Sequence, residues 1–237
     1  MDFNPTYIPY SSKRYPIYAQ HGMVCASSPQ AAAAGLEILQ KGGNAMDAAV
    51  ATAAALTVVE PTANGLGSDA FALVWSEKDQ KLFGLNASGF SPKNISIEKV
   101  KEKTGAEKMP VYGWVPTMVP GAVSGWAKMS EKFGNLPMTQ SLAPAIRYAR
   151  DGYPCSPNLE KMWQRAFNAY TRSCSGEEYA EWFKTFTKEN KESYDFGDII
   201  TLKNHGKTLR LIGETNAEAF YTGEIAEKID FQSKRDG

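Results

Sequence analysis

The sequence has few of the residues that build metal sites and disulfide frameworks, with only 3 cysteines and 2 histidines among its 237 residues. Cys25, Cys155 and Cys174 are odd in number and widely spaced, which argues against a disulfide framework. His21 and His205 stand near no other ligand type at the spacing of a zinc motif. We therefore expect no metal and no cofactor, and we interpret both histidines as exposed or hydrogen-bonded side chains.

Net charge and long apolar runs are also lacking. The 26 Lys and Arg residues balance 26 Asp and Glu residues, so electrostatics favour neither nucleic acid nor an anionic membrane as a partner. The sequence contains no run of about eighteen apolar residues, the length that is needed to cross a bilayer. Residues 1–21 contain prolines but no apolar core of a secretory leader. We expect a cytoplasmic protein with no nucleic-acid or membrane partner.

The densest local pattern begins at residue 22. Residues 23–26 are predicted as a short buried strand, with Cys25 as a small core residue rather than a nucleophile. Ser28-Pro29 is typical of a helix N-terminus, and Gly42-Gly43 of a helix end. The predicted apolar stripe of this helix consists of Ala32, Ala33, Leu36 and Leu39.

A second helix follows directly and consists largely of small residues. Asn44 is its predicted N-cap, with Asp47 in the first turn, and Glu60-Pro61 ends it because the residue before proline leaves helical geometry. A helix that is apolar on nearly all sides must be buried among close neighbours. We therefore predict a central helix packed against a sheet.

A glycine-bearing loop, residues 63–70, comes next. It satisfies the loose dinucleotide fingerprint, but a helix precedes it and a strand, Phe71–Trp75, follows, which is the reverse of the order that phosphate binding needs. We interpret it as a tight turn that leads into a hairpin with Lys81–Asn86. Residues 87–92 then form an irregular turn just past a strand end, where functional sites often lie.

The remainder is predicted to be mainly helical. Residues 93–119 are interpreted as a surface excursion, and the predicted helices cover residues 122–133, 140–150, 158–191 and 217–229, with short apolar pieces at 198–201 and 209–212. No serine occupies a G-x-S-x-G elbow, and Gly206-Lys207-Thr208 lacks the first glycine of a phosphate loop. We predict a single partial domain, 1–237, with an irregular arm (1–21), a sheet and helix core (22–92) and a mainly helical part (93–237).

Short motifs along nearly the whole chain resemble, in the same order, the opening of the gamma-glutamyltranspeptidase family. In the first part they are Gly22-Met23-Val24, Ser28-Pro29, Gly35-Leu36-Glu37-Ile38-Leu39, Lys41-Gly42-Gly43-Asn44-Ala45, Asp47-Ala48-Ala49-Val50-Ala51 and Val59-Glu60-Pro61. In the second part they are Val119-Pro120-Gly121-Ala122-Val123, Phe133-Gly134, Ala143-Pro144-Ala145, Ala149-Arg150-Asp151-Gly152-Tyr153 and Phe220-Tyr221-Thr222-Gly223-Glu224-Ile225-Ala226.

The resemblance implies an α+β, four-layer αββα N-terminal-nucleophile hydrolase fold, of which this chain is the N-terminal part. Family members are precursors that cleave themselves before a threonine, and the freed threonine attacks a γ-glutamyl amide such as that of glutathione. The acyl group then passes from the enzyme to water or to an amino acid. The resemblance places this threonine in a C-terminal small subunit, so we expect no catalytic residue in this chain, no activity from it alone, and that subunit as its partner.

The sequence departs from the family at the turn that follows the hairpin. The family usually places an arginine there, which grips the α-carboxylate of the substrate. Aligned on Pro92, that arginine falls on Ser88 and its neighbouring glutamate on Gly89, while Phe90 occupies the position of an alternative arginine. The candidate substrate-binding residues are Ser68, Asp69, Asn86, Ser88 and Phe90. Three alternatives stay open: an acylase with a non-glutamyl substrate, a grip supplied by another basic residue, and a non-catalytic paralogue or fragment.

Overall fold

A computed structural model of the protein describes residues 16–189 and 192–236. Residues 1–15 of the predicted arm and residues 190 and 191 of the predicted helical stretch lie outside the described residues. The helices in chain order are α1 Pro29–Gln40, α2 Ala45–Val59, α3 Ile97–Thr104, α4 Ala122–Phe133, α5 Met138–Ser141, α6 Ala143–Asp151, α7 Pro157–Ser173, a 3-10 turn Glu177–Tyr179, α8 Ala180–Phe186, α9 Lys203–Glu214, α10 Glu218–Tyr221 and α11 Glu224–Asp236. The strands are β1 Ala70–Ser76, β2 Lys81–Ala87, β3 Tyr153–Pro154 and β4 Ile199–Ile200.

Helix α2 is the centre of the core, as its small residues predict. Its most extensive contacts are with the helices α1, α4, α5 and α6 rather than with the predicted sheet, and the side chains of Ala51, Ala54 and Ala55 are fully buried. Alanine side chains allow neighbouring helices to approach closely, and the interior reaches its usual packing density through such contacts. The predicted start of the helix is confirmed, because Asn44 and Asp47 form a reciprocal capping box.

Asp47 also joins α2 to the loop between α4 and α5. Its carboxylate is fully buried and accepts the backbone N–H groups of Asn44 at 2.9 Å, Asn135 at 2.9 Å and Leu136 at 3.4 Å. A buried carboxylate is tolerated when several N–H groups donate to it. One side chain therefore fixes the beginning of α2 against a loop that lies 88 residues further along the chain.

Strands β1 and β2 form the predicted hairpin, which we call the hairpin from here on. They pair antiparallel from Ala70 opposite Ala87 to Ser76 opposite Lys81. Alternation gives the hairpin an inner face that packs on the core, made by Ala70, Ala72, Val74 and Leu85. Its outer face carries Phe71, Leu73, Trp75 and Leu82, whose side chains are between 55 and 80% exposed. Strands β3 and β4 form a separate two-stranded sheet.

Several local predictions are wrong. Residues 23–26 form no strand among the described residues, and Cys25 is exposed rather than a core residue. In α1 the buried face consists of Ala31, Ala34, Gly35 and Ile38, and Leu36 is largely exposed. The cause is the close approach of α1 to α2: a Cβ added at Gly35 would lie 2.3 Å from Thr52 Oγ1.

The later part of the chain differs from its prediction in several places. The apolar piece 209–212 is part of α9, the predicted last helix is divided into α10 and α11 by Thr222 and Gly223, and the surface excursion 93–119 contains α3. The predicted helix over 122–133 is present, whereas that over 140–150 is divided into α5 and α6 at Leu142. Residues 158–191 contain most of α7, the 3-10 turn and α8, with residues 174–176 and 187–189 outside any helix. Gly206-Lys207-Thr208 lies inside α9, where it cannot form a phosphate loop.

Candidate functional site

The five predicted substrate-binding residues lie near one another at the open end of the hairpin. Ala70 pairs with Ala87 at the last position of the register. Ser68 and Asp69 lead into that end, Asn86 lies within β2, opposite Phe71, and Ser88 directly follows β2. Phe90 follows and forms an isolated antiparallel bridge with Val119. The structure thus brings together two loops that are about twenty residues apart, as a hairpin must. The role of these residues in substrate binding stays a prediction.

The glycine loop, residues 63–69, is held by hydrogen bonds of Ser68. The Ser68 hydroxyl accepts the N–H of Gly65 at 3.1 Å, and the Ser68 N–H donates to the Gly65 carbonyl at 3.2 Å. The Ser68 carbonyl accepts the N–H groups of Gly121 at 3.2 Å and Ala122 at 2.9 Å. These two N–H groups open α4 and have no partner inside the helix, so the glycine loop caps α4 from outside.

The 87–92 turn rests directly on the segment of residues 119–121, which leads into α4. The backbone carbonyl of Phe90 accepts the N–H of Val119 at 2.8 Å. A Cβ added at Gly89 would lie 1.9 Å from the Val119 carbonyl oxygen, and one at Gly121 would lie 2.0 Å from the Ala87 carbonyl oxygen. Gly89 also has a φ of +80°, a conformation that side chains disfavour. Glycine is therefore required on both sides of this backbone contact.

Sequence reasoning missed Gly89 and Gly121 as parts of the site. The signal in the sequence is the Pro120-Gly121 pair directly before α4. The segments 63–69 and 87–92 both contact the segment 119–122 through its backbone, so the three segments form one unit.

The surface of this unit offers neutral polar groups, an aromatic ring and one carboxylate. The backbone N–H of Ser88 donates to Asn86 Oδ1 at 3.0 Å. The Ser88 side chain is exposed, and its hydroxyl makes only a long contact of 3.5 Å with the Gly89 carbonyl. The Phe90 ring is 79% exposed, and Asp69 is exposed. Residues 87–92 contain no cation. The turn itself therefore offers no side-chain cation that could pair with a carboxylate.

His205 and Cys155, which could act as base and nucleophile, lie elsewhere, and each is hydrogen-bonded or buried. His205 Nε2 lies 2.9 Å from the Thr57 hydroxyl, which itself donates to the Ala54 carbonyl, so His205 is the donor to Thr57. Burial lowers the pKa of His205 to about 4, and Thr57 is only 3% exposed. Burial raises the pKa of the Cys155 thiol to about 11. Neither the Thr57 hydroxyl beside His205 nor the Cys155 thiol can meet a substrate as an activated nucleophile.

Across 16–189 and 192–236, no group of three or more His, Cys, Asp or Glu side chains could hold a metal ion. In that part of the chain no helix combines the length and the apolar composition needed to span a membrane.

Comparisons with known proteins give a consistent result. The family model described as gamma-glutamyltranspeptidase matches residues 31–237. The chain is 33% identical to the glutathione hydrolase-like YwrD proenzyme of Bacillus subtilis over 87% of its length, and 29% identical to the glutathione hydrolase proenzyme of Escherichia coli over 94%. It spans about two fifths of these two relatives, 38% of each.

Solved structures resemble the chain closely. A cephalosporin acylase from Bacillus halodurans is 47% identical, with a TM-score of 0.91, and the match covers 99% of this chain and 43% of that one. A gamma-glutamyltranspeptidase from Helicobacter pylori is 31% identical, with a TM-score of 0.86, over 94% of this chain and 62% of that one. The expected α+β N-terminal-nucleophile hydrolase fold is confirmed, and the chain is part of it.

Proposed function

Because this chain belongs to the gamma-glutamyltranspeptidase family, we propose that it is the N-terminal part of an amidohydrolase or acyltransferase that works through an acyl-enzyme. Its substrate is a γ-glutamyl amide such as glutathione, and the acyl group passes to water or to an amino acid. Two relatives whose names describe glutathione hydrolase proenzymes support this proposal. The observation that carries it is the family match over residues 31–237, joined to a recognition surface that lacks a nucleophile of its own.

The partner in this proposal is a C-terminal subunit that carries the nucleophilic threonine and is released when a precursor cleaves itself. The outer face of the hairpin supports it. In a four-layer fold, helices cover one face of each sheet and the second sheet covers the other. Helix α4 lies on the inner side of the hairpin, whereas Phe71, Leu73 and Trp75 are exposed on the outer side. Such an apolar patch is typical of an interface.

Association tests the outer face directly. Leu73→Asp places a charge in the middle of the proposed interface, so we expect residues 1–237 to lose copurification with the coexpressed C-terminal subunit. Phe231→Asp is the matched control, since Phe231 is a similarly exposed apolar side chain on α11. Equal recovery of the complex with both variants would refute this interface. A reading frame that continues beyond codon 237 into a threonine-led segment is the simplest genetic test, and its absence would favour a non-catalytic paralogue.

An acylase with a non-glutamyl substrate is the second candidate, and the neutral 87–92 turn favours it. Ser88 and Phe90 stand where the family resemblance implies an arginine. Two of the similar proteins have names or titles that describe acylases, one from Bacillus halodurans and one from a Pseudomonas strain. An uncharged acyl group would lose nothing from the absence of a cation, whereas a γ-glutamyl group would leave its α-carboxylate unpaired at this turn.

Turnover of γ-glutamyl anilide and of simple acyl anilides by the full-length protein separates the two candidates. The Ser88→Arg variant sharpens the test. If the substrate is γ-glutamyl, the new guanidinium should tighten binding by about 1.5–3 kcal/mol, the value of a charge-assisted pair. Ser175→Arg adds the same charge to an exposed loop far along the chain and should change nothing. Unchanged affinity in both variants would count against Ser88 facing the acyl group. A cytoplasmic location is also proposed, and cell fractionation would test it.

A further inference from the structure

The Tyr221 hydroxyl connects two distant parts of the chain. Tyr221 is the last residue of α10, and its partly buried ring packs against the hydrophobic core. The hydroxyl donates to the Pro120 carbonyl at 2.8 Å and accepts the N–H of Ser124 at 2.9 Å. A single side chain therefore holds both the segment before α4 and the first turn of that helix.

This contact replaces a missing helix cap. The N-cap of α4 is Gly121, which has no side chain and makes no side-chain capping hydrogen bond. The Ser68 carbonyl takes the N–H groups of Gly121 and Ala122, and the Tyr221 hydroxyl takes that of Ser124. Helix N-termini normally find such partners locally. Here they come from the glycine loop on one side and from α10 on the other.

The anchored segment is also the support of the candidate recognition surface. The 87–92 turn contacts residues 119–121 backbone to backbone, with glycine required on each side. A displacement of Pro120 would therefore be passed on to Gly89 and its neighbours without a flexible side chain to absorb it. Packed backbone contacts transmit small shifts in this way.

We propose that Tyr221 is a positioning residue for the 87–92 turn, whose hydroxyl fixes the segment 119–121 and so sets where the acyl group is recognised. The proposal rests on the proposed function, since it assigns the turn to acyl recognition. Tyr221 itself lies behind that segment and takes no part in bond making or breaking.

The test compares two tyrosine variants in the full-length protein. Tyr221→Phe keeps the ring and removes both hydrogen bonds. Tyr148→Phe is the matched control, since the Tyr148 hydroxyl also donates to a backbone carbonyl, that of Gln30, at 3.2 Å, in the unrelated contact between α6 and α1. We expect Tyr221→Phe to raise KM for the acyl donor roughly ten- to hundredfold with kcat nearly unchanged. Tyr148→Phe should leave both constants as they are.

Amide hydrogen exchange of the turn provides a readout that does not depend on turnover. In Tyr221→Phe, the amides of Ser88 and Val119 should exchange faster than in the wild type, whereas in Tyr148→Phe they should not. Unchanged exchange in Tyr221→Phe overturns the proposal, and so does faster exchange with an unchanged KM. A full-length protein that hydrolyses no acyl amide refutes the proposed function, and exchange alone then decides whether Tyr221 holds the turn.

Discussion

Replacing Gly121 by alanine tests whether the loops at the end of the hairpin touch as described. Gly121 has φ −99° and ψ −29°, a conformation that any residue adopts. Alanine there would by itself stabilise the fold by about 0.4–1 kcal/mol, because it restricts the unfolded chain. The added Cβ, however, would lie 2.0 Å from the Ala87 carbonyl oxygen and 2.5 Å from the Gly89 nitrogen. Both are backbone atoms, which no rotamer change can move aside.

The magnitude follows from overpacking and lost hydrogen bonds. Extra volume in a packed region costs about 1–3 kcal/mol. Relief of the contact would also pull the N–H groups of Gly121 and Ala122 away from the Ser68 carbonyl, at about 1 kcal/mol each. Set against the small gain of alanine, we expect the free energy of unfolding to fall by about 3 kcal/mol. Urea denaturation followed by tryptophan fluorescence measures it.

Alanine substitutions at two other glycines distinguish the effect of steric contact on stability from that of backbone strain. A Cβ at Gly67 would have no atom within 4 Å, so Gly67→Ala should change the free energy of unfolding little. Gly42 is equally open but has a φ of +90°, so Gly42→Ala should cost about 1–2 kcal/mol through left-handed strain alone. The reasoning is refuted if Gly121→Ala unfolds at the same urea concentration as Gly67→Ala.

Three further predictions concern buried or paired ionisable groups. Asp47→Ala should lower the free energy of unfolding by about 3–5 kcal/mol, since it leaves three backbone N–H groups without an acceptor; Asp47→Asn should lose less, and equal losses would be contrary to expectation. Because burial lowers the pKa of His205 to about 4, the unfolded chain binds the proton first. Stability should then fall between pH 6.5 and 4, by up to about 3 kcal/mol, and a His205→Gln variant with the same slope would contradict this. The hydrogen bond from Arg147 lowers the pKa of Glu37. The pair should therefore lose its contribution to the free energy of unfolding, about 1 kcal/mol at most, as the pH falls below about 4.5. Urea titrations should show a smaller loss of stability in this acid range for Glu37→Gln.

Elements with local start and stop chemistry could be predicted from the sequence. The capping box of Asn44 and Asp47 and the proline after Glu60 determine α2 within a few residues. Alternation and a polar turn likewise determine the hairpin. Helix α9 has no such signal, because its N-cap is Leu202 and forms no side-chain hydrogen bond. Residues 209–212 contain only three apolar side chains, which are too few to distinguish a helix from a strand.

Burial on a given face could not be predicted where only packing decides it. In α1, apolar residues occupy both sides, and the contact of Gly35 with Thr52 on α2 selects the buried side. The apolar run 23–26 reads as a strand by composition, but a strand needs a hydrogen-bonded neighbour, and none is present among the described residues.

In the candidate site, too, the sequence predicts some contacts and not others. The register of the hairpin brings Ser68 and Ser88 to one end, which the sequence pattern predicts. The contact of Gly89 with residues 119–121 and the anchoring hydroxyl of Tyr221 join segments far apart in the chain. No periodicity or pairing rule relates such segments, so only the folded backbone reveals them.

We propose that this chain supplies scaffold and one wall of the acyl site for a nucleophile located in a C-terminal subunit. The most direct measurement is hydrolysis of γ-glutamyl and acyl anilides by purified residues 1–237, alone and after coexpression with that subunit. We expect turnover only from the assembled protein. Sustained turnover by residues 1–237 alone would contradict the account.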